Sequence, residues 1–138
     1  NSPPSRSASV QGSGDGEKRS FMLAVRDDAV LGFCRFSAAP DNADRVERAT
    51  PGGTMVGRLH SLYIDPDALG QSIGHTLMNH ALSTFAAWGC ERANLWVLEG
   101  NSRAISFYKR QGWRCTGATK VDRSFGLCLV EHEMAVQL

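Results

Sequence analysis

Strand-length apolar runs, two stretches of helical period set between them, and a glycine or proline at most junctions predict an α/β fold built on a mixed sheet. The chain has 138 residues, of which 42% are hydrophobic and 21% charged, enough to bury the core of one domain and too apolar for a fibrous or wholly disordered protein. A net charge of +1 lacks the basic footprint of a nucleic-acid binder, so no nucleic acid partner is expected. The apolar runs fall far short of the roughly 18 residues that cross a bilayer, and no signal-peptide pattern is present, which predicts a soluble, cytoplasmic protein with no membrane partner. Cys34, Cys90, Cys115 and Cys128 are irregularly spaced, without a zinc pattern, and read as reduced thiols packed as small hydrophobes. No metal site is expected.

Residues 1–19 are mostly Ser, Gly, Pro and charged groups, with only Ala8 and Val10 offering apolar contact. They read as a flexible arm or linker, because so little burial does not offset ordering entropy. Residues 20–138 read as a single domain. Apolar residues 21–25, a turn at Asp27 and Asp28, and a second run over residues 30–36 form a hairpin. Residues 38–53 carry Pro40, Pro51 and paired glycines and read as a loop with at most a short helix over 43–48. Residues 58–64 form a third strand, stopped by Asp65 and Pro66. The period then becomes helical: Leu77, Met78, Ala81, Leu82, Phe85 and Trp88 share a stripe, and Gly89 ends it. A strand over 94–98, a helix capped by Asn101 or Ser102 and closed by Gly112, and strands over 113–118 and 127–137 complete the order.

Two segments carry chemistry. Gly70, Gln71, Ser72, Ile73 and Gly74 form a glycine-containing strand-to-helix turn, where unsatisfied N–H groups and the helix dipole favour a pyrophosphate. The segment is neither a Walker loop nor a three-glycine dinucleotide motif, and an ordinary helix entrance is an equal reading. Residues 101–113 follow a strand directly. Ala104 and Phe107 give close packing there, and Asn101 and Tyr108, nearly two turns apart, fall on one side of the helix. On spacing alone Tyr108 reads as a core aromatic.

Together these segments resemble the GNAT superfamily of acyl-CoA-dependent N-acetyltransferases. Three stretches within residues 21–138 carry the resemblance. Residues 59–66 look like the family's fourth strand, residues 70–74 like its pyrophosphate loop, and residues 101–113 like its second CoA motif. The resemblance implies a mostly antiparallel sheet flanked by helices, with a V-shaped split between the strand ending at Ile64 and strand 94–98. It implies acetyl-CoA as cosubstrate, held by Leu62, Tyr63 and Ile64, by Leu69, Gly70, Gln71, Ser72, Ile73, Gly74 and His75, and by Asn101, Ala104, Phe107 and Tyr108. The acceptor is a small-molecule or peptide amine that attacks the thioester directly. Tyr108 takes the part of the acid that protonates the CoA thiolate. Two departures stand out. The loop's fixed positions fall on Leu69, Ser72 and Gly74, of which only Gly74 keeps the family residue, and Arg58 occupies the place where many relatives have a glutamate base. His60, on the same strand face as Arg58, is the candidate base, with Glu131, His132 and Glu133 as rivals.

His80 reads as a boundary residue. Family members also begin with a strand and two helices that residues 1–20 do not offer, so the domain reads as N-terminally incomplete and its exposed front predicts a homodimer or reduced stability. The rival functional reading is a catalytically silent CoA-binding or regulatory module of the same fold.

Overall fold

A computed structural model describes residues 6–10 (by their main chain), 17–41, 54–70 and 72–138. Strands β1 (Arg6–Val10), β2 (Lys18–Arg26), β3 (Ala29–Pro40) and β4 (Met55–Ile64) lead into helix α1 (Ile73–Ala87). Strand β5 (Cys90–Leu98), helix α2 (Ser102–Arg110) and strands β6 (Arg114–Asp122) and β7 (Leu129–Gln137) follow. The sheet runs β1-β2-β3-β4-β5-β7-β6. Its neighbours are antiparallel except β4 and β5, which are parallel and joined through α1, as a parallel pair requires.

The β2–β3 hairpin turns at Asp27 and Asp28, both left-handed at φ 51° and 66°, the twist that suits a two-residue connection. Along β2 and β3, Met22, Ala24, Cys34, Phe36 and Ala38 point to one face and are buried, while Phe21, Phe33, Arg35 and Ser37 point to the other. Helix α1 covers the first face with Ile73, Leu77, Met78, Ala81 and Phe85. Each of these side chains except Ala81 contributes about 1.5–3 kcal/mol on burial, so packing, rather than its uncapped N-terminus, holds α1 in place. Phe85 meets Phe36 edge-on at 5.1 Å between centroids. Helix α2 has no fully buried residue and relies more on its ends: Asn101 Oδ1 accepts from Ala104 N at 3.3 Å, and Lys109 and Arg110 face the dipole's negative end.

Three expectations change. Arg6–Val10, within the segment read as an arm, form β1 and pair with β2 from Arg6↔Leu23 to Val10↔Arg19. Side-chain composition misjudges a strand held by its main-chain ladder, and β1 covers the β2 edge that was expected to be open. Cys34 and Cys90 are buried, but Cys115, on the edge strand β6, and Cys128, directly before β7, are exposed. All four are free thiols. Strand β3 runs through Pro40, beyond the expected loop start, and the helix proposed over 43–48 lies outside the described residues. Among the described residues no helix is long and apolar enough to cross a membrane.

Gly57 on β4 lies directly beneath Phe85 of α1. A Cβ built there would lie 2.5 Å from the Phe85 ring. Gly57→Ala is therefore expected to destabilise the fold by about 1–3 kcal/mol in chemical denaturation, and adding Phe85→Leu to recover part of the loss.

Candidate active site

Strands β4 and β5 pair from Met55↔Cys90 only to Leu59↔Leu95. Beyond that point β4 stays with β3, ending at Gly32↔Ile64, and β5 stays with β7, ending at Leu98↔Glu131. The expected split between the strand ending at Ile64 and strand 94–98 is therefore present. Main-chain groups of residues 60–64 on the β5 side have lost their ladder partners and face the gap. A cleft of about 330 Å³ fills it, lined by His60 and Leu62 from β4, Trp96 from β5, Asn101, Ala104 and Tyr108 around α2, and Glu131 from β7.

His60 is set at the mouth by a bulge. Arg35 pairs with Ser61 and Phe36 with Leu59, which leaves His60 as the extra residue of β4. Its Nε2 lies 2.7 Å from Ser37 Oγ. Burial, and then the cations Arg35, Arg58 and Arg19, lower its pKa below the ordinary histidine value. The imidazole thus remains neutral, able to accept a proton, into mildly acidic solution.

Tyr108 reaches the same cleft from α2, packed 5.6 Å from Phe107 and 6.2 Å from Trp113 between ring centroids. Burial raises its pKa above the ordinary phenol value, so it carries its proton throughout the neutral range. Asn101 caps α2 and lines the cleft as well, so capping and an inward amide coexist in one residue.

The α1 end of the split holds the turn. Gly70 has φ +85° and Ser72 φ +61°, so two left-handed residues aim the chain into the helix. The N–H groups of Ile73, Gly74 and His75 precede the first intrahelical bond, Thr76 N to Ser72 O at 3.0 Å, and form an anion-favouring end. Gly74 also has a packing role, since a Cβ there would lie 3.1 Å from the Phe107 ring. Leu69 is exposed, and Gln71 lies outside the described residues. His75 is otherwise engaged: Nδ1 lies 3.0 Å from Gln111 Oε1 and Nε2 3.0 Å from Asn79 Nδ2, which ties α1 to the end of α2. Tyr63 lies on the face opposite α1, stacked on Phe33 at 5.5 Å, and Ile64 lies beside Gly32 and Gly74.

Of the rival bases, Glu131 alone lines the cleft, where Lys120 holds it at 3.4 Å. Glu133 accepts from Thr116 Oγ1 at 2.7 Å, and His132 lies 3.8 Å from Glu99. His80 is half-buried, edge-on to Phe36, as a boundary residue would be. Among the described residues no three His, Cys, Asp or Glu side chains are grouped to hold a metal. The sequence reading missed Ser37 and Trp96, which strand alternation offers but only cross-strand register assigns.

Two outcomes follow from this geometry. In an NMR titration the His60 ring should show a midpoint below about 6.5, and Arg35→Gln should raise it while burial keeps it below that value. Ser72→Gly, which removes the left-handed strain of a residue with a Cβ, should raise stability by a few tenths to about 1 kcal/mol in thermal melting, the greater freedom of glycine in the unfolded chain offsetting part of the gain.

The family model "Acetyltransferase (GNAT) family" matches residues 3–113. A peptidyl-lysine N-acetyltransferase, YjaB of Salmonella typhimurium, is 42% identical over 64 residues, 46% of this chain and 41% of the relative. A mycothiol acetyltransferase of Geodermatophilus obscurus is 36% identical over 93 residues, 67% of this chain and 28% of the relative. The chain thus spans less than half the length of these curated relatives. The crystal structure of Arabidopsis thaliana NAA60 in complex with acetyl-CoA superposes with a TM-score of 0.71 at 17% identity, covering 86% of this chain and 76% of that one. A family match over most of the chain and a sheet that splits between β4 and β5 lead to one conclusion: the chain belongs to the GNAT acetyltransferase family.

Proposed function

We propose that the protein is an N-acetyltransferase that moves an acetyl group from acetyl-CoA directly to a primary amine on a small molecule or peptide. The observation that carries this reading is the cleft at the β4–β5 split, which a neutral imidazole and a protonated phenol enter from opposite walls. The fit to an acyl-CoA rests on features of this chain: unpaired main-chain groups along residues 60–64 suit the amides of an extended pantetheine, and the start of α1 suits its pyrophosphate.

In the proposed reaction the amine nitrogen forms a bond to the thioester carbon as the carbon–sulfur bond breaks. His60 receives the proton released by the amine, with Ser37 holding its ring. A main-chain N–H of the freed β4 segment stabilises the developing oxyanion, a donor type worth about 2.7–4 kcal/mol. Tyr108 gives its proton to the departing thiolate, and exchange with solvent restores both side chains. Burial keeps the phenol protonated at neutral pH, so Tyr108 holds a proton to give as negative charge develops on the sulfur. No covalent intermediate with the protein is required.

Tyr108→Phe keeps the ring packing and removes the proton donor. It is expected to lower kcat by about 10²–10⁴-fold in a free-thiol assay while calorimetric CoA affinity stays within about twofold. CoA binding by the native chain without turnover of any amine would favour the silent-module reading. A fully active Tyr108→Phe would mean that solvent protonates the thiolate.

A further inference from the structure

The face of the sheet opposite α1 carries an arrangement that acetyl transfer does not by itself explain. Cross-strand register sets Arg19 of β2, Ser37 of β3, Arg58 of β4 and Asn94 of β5 in one continuous row. Arg35 stands one row further along β3, paired with Phe21 on one side and Ser61 on the other. These residues line a concavity of about 570 Å³. His60 lines both this concavity and the cleft that contains Tyr108, so the two spaces meet at the imidazole.

The charges in the concavity are unequal. Glu17 pairs with Arg19 at 3.0 Å, and Asp41 pairs with Arg92 at 3.0 Å. Among the described residues Arg58 has only a long contact to a neutral partner, Asn94 Oδ1 at 3.4 Å. Arg35 has no hydrogen-bond or ion-pair partner among the described residues. Like charges on neighbouring strands weaken a sheet, and the same cations lower the pKa of His60. Arginine forks are suited to carboxylates and phosphates, and Arg35 and Arg58, which no described residue neutralises, flank the imidazole at the entrance to the cleft.

We infer that Arg35 and Arg58 form an anion subsite and that the acceptor is an amine bearing a carboxylate, held in the concavity with its nitrogen at His60. This rests on the acetyltransfer reading for the amine and stands independently of it for the anion. A carboxylate satisfies the two guanidinium groups and leaves the amine to reach over His60 into the cleft. The phenyl ring of Phe21, stacked on Phe33 at 5.5 Å, forms an apolar floor beside Arg35 for the carbon chain between the two groups.

Two measurements test the subsite. Glutarate, which has no amine, is titrated into the protein while the His60 ring signals and the heat of binding are followed. Glutarate should bind and glutaramide should not, and Arg35→Gln and Arg58→Gln should each weaken glutarate binding about tenfold or more, with Arg35→Lys restoring part of the loss. The groups facing the reporter ring are Glu17 just before β2, Arg19 from β2, Arg35 and Ser37 from β3, and Arg58 on its own strand. In acetyl-CoA turnover, β-alanine is set against β-alaninamide, and a lysine peptide flanked by glutamate against the same peptide with glutamine. The acidic member of at least one pair should have a kcat/KM about tenfold higher, and Arg35→Gln should abolish the preference; the pair showing it tells a small acid from an acidic peptide.

Equal turnover of acid and amide in both pairs overturns the proposal and leaves acetyl transfer in place. Glutarate binding that is absent, or unchanged in both glutamine variants, overturns it as well. Arginine-dependent glutarate binding with no amine turned over supports the anion subsite and overturns the acetyltransferase reading instead. Arg35 and Arg58 are exposed, so their variants are expected to fold, and matching thermal melts verify it.

Discussion

The site depends on two parallel strands that pair for half their length and then part. Strands β4 and β5 are held together at Leu59↔Leu95, and α1, the crossover between them, packs across the paired half with Phe85 against Gly57. Any larger residue at Gly57 would push α1 away from that half. Past Leu59 each strand follows its outer neighbour, and main-chain groups face a gap without ladder partners. Buried unpaired amides and carbonyls cost free energy, so an open gap in a sheet persists only where water or a ligand completes them. The same gap creates a wall of polar main chain beside the N-terminus of α1, a combination suited to a long ligand with amides at one end and phosphates at the other.

Helix α2 and the β4 bulge bring a phenol and an imidazole to that gap. The cap at Asn101 fixes the start of α2, and contacts with Phe107 and Trp113 fix Tyr108 two turns later. The bulge projects His60 without disturbing Leu59, which remains buried on the α1 side. Neither residue gains its state from a single partner. Burial dominates both shifts, and it pushes the phenol and the imidazole toward their neutral forms, the one able to give a proton and the other to take one.

Much of this was legible in the sequence, and the exceptions share a cause. The helical stripe from Leu77 to Phe85, the end of α1 at Gly89 and the Asn101 cap are local signals, and each appears where the periodicity and capping chemistry put it. β1 was not legible, because its main-chain pairing leaves little trace in side-chain composition. The fixed loop position before Gly74 is Ser72 here, a departure from the family residue that the sequence showed without saying what backbone conformation the position requires. The left-handed φ of Ser72 shows what the position asks for, a conformation that glycine adopts freely and serine at a cost. The row from Arg19 to Asn94 was illegible for another reason: alternation assigns each residue a face, but register across four strands decides which of them are neighbours.

The field around His60 works on the proposed acceptor as well as on the imidazole. Arg19, Arg35 and Arg58 disfavour an ammonium for the same reason that they disfavour an imidazolium, so an amine that arrives there is shifted toward its neutral, nucleophilic form. An α-amine near 7.7–8.0 needs little such shift at pH 7.5. A lysine near 10.4 needs about 3 units, or about 4 kcal/mol, which a base of lowered pKa is poorly placed to supply alone. Cations that expel the ammonium proton would also repel the acceptor before it loses that proton. A carboxylate on the same molecule offsets the repulsion, so one set of arginines can hold the acceptor and keep its nitrogen unprotonated.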